Sequence, residues 1–399
     1  MRFSVKGWSK GGARAGVLQV GGCSLETPAL LLTTRKGLPA FISPDLLPSL
    51  PTPDSRLLQF SPLHFVEGIS LKAISEMGGL HQMVGLKEHV FAANPADSII
   101  SIPDFQSTNK IGASFETPSG RFLIKPGQYV EMISSMKPNL WVTLADEVPA
   151  WVSEKRNRAS VERTMRWLDD CLALAKANNT GGAVFGSIVG GSKVNERKYC
   201  AQEVSRRNVS GFHISGFGLG ESMDERPALL SAVTECLPDD KPRQISGLGL
   251  PEEVLQGVAA GIDLFNSTYI YHLTVGGFAL TFPSEEIKRR GSIDQLSDTV
   301  RDDGTKINLK ATIYRKDTSR ILEGCKCYTC QNHTKAYINH LFNVHEMLAQ
   351  ILLEIHNTHH YLGFFRKIRN AIKEGTFEEF RQNFVESRRE HNAALALCA

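Results

Sequence analysis

Between Leu140 and Asn266 the chain alternates two textures. Short, uninterrupted apolar runs end in Gly, Asp, Ser or Asn: Leu140–Asp146, Gly182–Gly190, Gly211–Gly216, Gln244–Gly249 and Gly261–Asn266. Amphipathic stretches lie between them. Val161–Lys176 carries apolar residues at helical spacing, and Glu252–Ala260 is a shorter case. Apolar runs without polar alternation belong to strands covered on both faces, so the pattern predicts a parallel sheet with helices packed against it. Five such units in a chain of 399 residues favour a closed (β/α)8 TIM barrel of the α/β class. An open doubly wound sheet would give the same local signal. In a barrel the strand ends that carry glycine would form the C-terminal face, where barrel sites sit.

The flanks read differently. Residues 1–60 suggest short strands and turns: Ala15–Val20 alternates, and Thr27–Thr34 is a candidate buried strand. Pro48–Pro62, rich in Pro and Ser, is expected to be a loop. Beyond residue 320 a helical region appears. Lys335–His356 places Leu341, Val344, Leu348, Ile351, Leu352 and Ile355 at 3.6-residue spacing, and a second helix is expected from Gly363 to Lys373, carrying Phe365, Ile368 and Ile372. The expected organisation is one barrel domain over residues 1–399 with a helical subdomain over about 320–385.

Composition narrows the class. The chain is 42% hydrophobic and 22% charged, with 45 Lys and Arg against 42 Asp and Glu. A strongly cationic nucleic-acid wrapper is not indicated. Arg366, Lys367, Arg369, Lys373 and Arg388–Arg389 make a local basic stretch, read either as solvated helix faces or as phosphate contacts. The start lacks the apolar run of a signal peptide and no segment reaches a membrane span. Cys398 is penultimate and so is not a prenylation box. A soluble intracellular protein is expected.

The chemistry concentrates in Cys325, Cys327 and Cys330, a C-x-C-x-x-C run that lets one loop offer three sulfurs to one ion. A tetrahedral site needs a fourth ligand. His333, His340, His345, His356, His359 and His360 are candidates by position; His356 follows Leu352 by one turn and shares its apolar seam. Soft thiolates point to one structural Zn2+ ion, since three thiolates and a histidine leave no open position for catalysis. The competing reading is a set of reduced thiols or a redox pair.

Cys325–Leu341, followed by Leu352-Leu-Glu-Ile-His-Asn357, resembles the tRNA-guanine transglycosylase family. So do Leu25–Ala29, Arg163–Trp167, Leu237–Pro242 with Gly247–Gly249, Ile368–Arg369 and Gly375–Phe377, which together span nearly the whole chain. The resemblance implies a zinc-bearing barrel whose metal ligands are Cys325, Cys327, Cys330 and His356. It implies exchange of a tRNA wobble guanine for queuine or a precursor, through a carboxylate that attacks ribose C1′ and a second carboxylate that handles protons, with the target base extruded.

The sequence departs from the family at those functional positions. The nucleophile position is Asn266, within Phe265–His272, and a neutral amide is a very poor nucleophile. The acid/base motif has no counterpart; the corresponding stretch is Ser98–Gln106. Purine readers become Val189–Gly190 and Ser215–Gly216, and Asp146 alone matches a base-recognition aspartate. Asp263 is a weak substitute nucleophile, because strand alternation sets it opposite Asn266. The resemblance therefore implies a catalytically silent subunit with no catalytic residue of its own. Its expected partner is a catalytic queuine tRNA-ribosyltransferase paralogue in a heterodimer, with self-association as a homodimer also open. It would reach tRNA through that complex, in the cytoplasm, with at most peripheral association to the mitochondrial outer membrane. The alternatives are an active transglycosylase with a rearranged site, and a zinc-stabilised barrel enzyme of unrelated substrate.

Overall fold

The computed structural model describes residues 1–397 apart from 10, 67, 98, 100 and 282–304. Ser98 and Ile100 of the stretch matched to the acid/base motif, and Cys398, lie outside the described residues. Two compact units are present. The first comprises residues 1–39, 53–268 and 372–375; the second comprises 40–52, 269–371 and 376–399.

The first unit opens with an antiparallel sheet of β1 (Arg2–Trp8), β2 (Arg14–Val20) and β3 (Cys23–Thr27). Eight strands then close into a parallel barrel: β4 (Ala29–Thr33), β5 (Leu57–Phe60), β6 (Val90–Ala93), β10 (Leu140–Val142), β11 (Ala183–Ile188), β12 (Gly211–Ile214), β13 (Arg243–Ser246) and β14 (Leu264–Ser267). Between β6 and β10 a small antiparallel sheet of β7 (Ile102–Pro103), β8 (Ala113–Thr117) and β9 (Gly120–Ile124) is inserted. The unit's helices are α1 (Leu71–Glu76), α2 (Leu80–Val84), α3 (Pro126–Met136), α4 (Glu154–Ala177), α5 (Val194–Ser205), α6 (Arg226–Thr234) and α7 (Pro251–Ala259).

All five apolar runs of the sequence reading are barrel strands. Two further strands, β5 and β6, have no counterpart in the pattern of apolar runs. β5 lies inside the expected loop of Pro48–Pro62, where Leu57-Leu-Gln-Phe60 is wholly buried. Four residues between prolines give no periodicity, and parallel partners on both sides supply what the local sequence does not. Phe3, Leu18, Val20 and Leu25 pack with Leu57, Val90, Leu140, Ala183 and Leu264 at the strand starts, so the first sheet plugs the N-terminal end of the barrel.

The second unit holds α8 (Tyr269–Gly276), a hairpin of β15 (Phe278–Leu280) and β16 (Lys306–Asn308), α9 (Tyr328–Asn332) and α10 (Lys335–Asn343). It also takes in most of α11 (Leu348–Glu374) and α12 (Phe377–Leu397). The expected helix over 335–356 is broken. His345 adopts a positive φ of 59°, and the Glu346 N–H returns to the Leu341 carbonyl at 2.9 Å, closing α10 before α11 begins. Val344 and Leu348 are consequently exposed rather than on the apolar seam. The separate helix expected from Gly363 does not start there, because α11 runs through that glycine. The unit's core gathers Ala279, Leu309, Ile338, Leu341, Leu352 and Leu353 around Cys327 and Cys330.

Candidate functional site

The sulfurs of Cys325, Cys327 and Cys330 and a ring nitrogen of His356 lie within 4.8 Å of one another. Cys327 is the N-cap of α9: its sulfur accepts the Cys330 N–H at 3.3 Å, which sets two of the thiols side by side. His356 sits two turns into α11, one turn beyond buried Leu352, and is itself fully buried. Its Nδ1 lies 3.9, 3.5 and 3.3 Å from the sulfurs of Cys325, Cys327 and Cys330. Its Nε2 lies 2.9 Å from the Leu280 carbonyl at the end of β15, which fixes the tautomer with Nδ1 free to ligate. Of the six histidines weighed from sequence, His356 is the one in this group; the others are not part of it.

The four side chains shift one another's pKa values. Hydrogen bonds from Cys327 and Cys330 hold the Cys325 thiol pKa well below its usual value, so a thiolate is favoured there, while Cys327 is pushed up by the same sharing. Burial opposes charge on His356, but its bonds to Cys325 and Cys330 outweigh that and raise its pKa to about 9. These four residues could hold a metal ion, and their buried, convergent donors match a closed four-coordinate shell.

At the C-terminal mouth of the barrel the end of β14 sits in a network of neutral polar side chains. Asn266, at the end of β14, accepts the Thr33 hydroxyl at 3.0 Å and donates to Ser246 at 3.4 Å. Ser246 also receives Asn94 at 3.2 Å and lies 2.9 Å from His213 Nε2, and His213 Nδ1 lies 2.7 Å from Ser215. Burial pushes the His213 pKa down to about 3, so the network is neutral at physiological pH. Sequence reasoning missed Asn94, His213 and Ser246 because single polar residues in apolar strands carry no spacing signal.

Asp146, just past β10, is fully enclosed. Arg156 forks onto it at 2.8 and 2.7 Å, and Arg163 adds a contact at 3.0 Å. Arg156 stands in the first turn of α4, which Ser153 caps, a position that sequence gave no reason to link to Asp146. Among the aspartates near the matched acid/base stretch, Asp97 pairs with His64 at 2.7 Å and Asp104 with Arg121 at 2.7 Å. Buried Arg197 stitches the loops after β11 and β12, donating to the carbonyls of Gly191, Ser215 and Gly216 at 2.6, 3.1 and 3.0 Å. A Cβ at Gly190 would fall 2.6 Å from the Arg197 main-chain nitrogen, so this close approach requires glycine.

Asp263 is not near Asn266 in function. It immediately precedes β14 and is bound by Arg14 through both carboxylate oxygens, at 2.9 and 2.6 Å, and by the Arg243 N–H at 2.7 Å. In the basic stretch, Lys367 is exposed, Lys373 pairs with Glu26 at 2.6 Å, and Arg369 is buried, so the stretch is not one continuous cationic face.

Residues 9–390 match the family model described as queuine tRNA-ribosyltransferase. The chain belongs to this family. Relatives within it are named queuine tRNA-ribosyltransferase accessory subunit 2. The Xenopus tropicalis protein is 34% identical, covering 91% of this chain and 94% of its own. The Homo sapiens protein is 35% identical over 76% of this chain and 79% of its own, and the Trichoplax adhaerens protein 31% over 96% and 100%. The family assignment and the closed eight-stranded parallel barrel agree with the resemblance drawn from the cysteine run.

Proposed function

We propose that this protein is the non-catalytic subunit of a heteromeric queuine tRNA-ribosyltransferase, which exchanges guanine for queuine at wobble position 34 of tRNAs with GUN anticodons. The observation that carries the reading is Asn266: an amide stands at the strand end matched to the nucleophile, tied to Thr33 and Ser246 in a neutral network. Losing a nucleophile from such a unit costs on the order of 10⁴–10⁶ in rate. The relatives' printed names, accessory subunit 2, support the same reading.

In this reading the chain pairs with a catalytic paralogue, helps to hold tRNA, and self-associates as a homodimer when alone. The ion held by Cys325, Cys327, Cys330 and His356 is Zn2+, and it is structural: it cross-links the second unit and supplies no chemistry to the exchange. The complex works in the cytoplasm and meets the mitochondrial outer membrane only peripherally. Among the described residues no helix is long and apolar enough to cross a membrane.

The test is incorporation of labelled guanine into tRNA by the purified chain alone, by the catalytic paralogue alone, and by both together. The expected result is no exchange by this chain and stimulated exchange by the mixture. Exchange by this chain without a partner would overturn the reading. Native mass measurement of the same samples reads the homodimer and the heterodimer.

A further inference from the structure

The Asp146 carboxylate has no exposed surface, although it stands just past the end of a barrel strand. What covers it is chemically specific. Arg156 places Nη1 2.8 Å from one oxygen and Nη2 2.7 Å from the other, a planar pair of N–H donors on both oxygens of one carboxylate. A guanine-type base offers the same pattern: its ring N–H and adjacent amino group form a planar donor pair spaced for one carboxylate.

We propose that Arg156 is an internal occupant of a base-binding subsite, standing on Asp146 where the amidine edge of a guanine-type base would stand. This rests on the reading of the barrel mouth as a former base-exchange site. Three observations give the subsite a shape that does not depend on Arg156. The Asp146 main chain is anchored separately, its N–H donating to Thr164 at 3.0 Å and its carbonyl accepting the Ser160 hydroxyl. Arg163 stays on Asp146 and on the Thr108 carbonyl at 3.2 Å, so the carboxylate keeps a countercharge when Arg156 is removed. The Phe105 carbonyl, which now accepts Arg156 Nη2 at 2.9 Å, becomes a further acceptor, and Phe105 itself meets the 71% exposed Trp151 edge to face at 5.4 Å. The Arg156 side chain is 23% exposed, so truncating it opens the carboxylate to solvent.

The experiment titrates the full-length chain with 7-deazaguanine by calorimetry, using 7-deazaadenine, which lacks the donor pair, as the control. Wild type is expected to show no saturable binding. Arg156→Ala is expected to gain at least tenfold in affinity for 7-deazaguanine and nothing for 7-deazaadenine, and Arg156→Ala/Asp146→Asn to lose the gain. A folded Arg156→Ala chain that binds 7-deazaguanine no better than wild type, or a wild type that already binds it as tightly, overturns the proposal. Should Arg156→Ala fail to fold, Arg156→Gln, whose donors sit on a single nitrogen and cannot fork across both oxygens, is titrated against the same criteria. Stimulation of the catalytic paralogue by wild type is measured in parallel. Failed binding with stimulation retained removes this proposal alone, whereas lost stimulation removes the reading of the protein as an accessory subunit.

Discussion

His356 turns its Nε2 to the Leu280 carbonyl, 2.9 Å away, and that one bond aims Nδ1 at the three sulfurs. A strand end in the second unit thus orients, on α11, one of the four side chains that could hold a metal ion. The arrangement predicts one tightly held ion per chain, zinc by elemental analysis. Cys330→Ser and His356→Ala should lose the ion and melt well below wild type, and a strong chelator should lower the wild-type melting temperature in the same way. Binding energies of structural zinc run to about 10 kcal/mol or more, so a variant that keeps its melting temperature without metal would refute a structural role.

Asn266→Asp should not restore exchange. The new carboxylate would stand among Thr33, Ser246, Asn94 and His213, none of which is a second carboxylate, and Asp146 would still be held by Arg156. Labelled-guanine incorporation by the variant alone should stay at background. A signal within a hundredfold of the catalytic paralogue would show that one substitution is enough.

Asp263→Asn should act on stability. Removing one partner of a buried ion pair costs about 3–5 kcal/mol, because the other charge is left behind. Arg14 is fully buried and would be that charge, keeping only a 3.4 Å contact to the Asp239 carboxylate and the carbonyls of Asp239 and Lys241, so the loss should fall at the low end of that range. Urea unfolding should show the loss, while stimulation of the catalytic paralogue at a temperature where the variant is folded should be unchanged.

Stability should fall on mild acidification through His213. Its pKa in the fold is about 3, below the 6.5 of an exposed histidine. A depressed value means the contribution is fully present above pH 6.5 and is lost as pH falls towards 3. From pH 6.5 to pH 5 this amounts to up to about 2 kcal/mol. His213→Gln should flatten that part of the urea-unfolding profile, and an unchanged slope would locate the acid sensitivity elsewhere.

The barrel was readable wherever a strand was long enough to show a run. Ala183–Ile188 and its glycine-flanked neighbours announced themselves, whereas Leu57–Phe60 is four residues whose pairing is decided by strands far away in sequence. The metal group was readable because three cysteines in six residues leave little else to explain; the choice of His356 among six histidines needed the family resemblance, and the fold supplies its reason in Leu280. The helix break at His345 was hidden, since a residue at positive φ that is not glycine leaves no trace in an apolar repeat. Arg156 was hidden for another cause: ten residues from Asp146, with no periodic relation to it, it meets that carboxylate only because α4 folds back over the end of β10.

Strand β14 separates two fates along one short length of chain. Asp263 and Asn266 are three residues apart, roughly 10 Å in an extended strand. One is buttoned to Arg14 beneath the barrel, the other faces its mouth. Selection can therefore act on the two ends independently. A substitution at the mouth leaves the ion pair beneath it untouched, so the scaffold keeps its footing whatever side chain stands at residue 266.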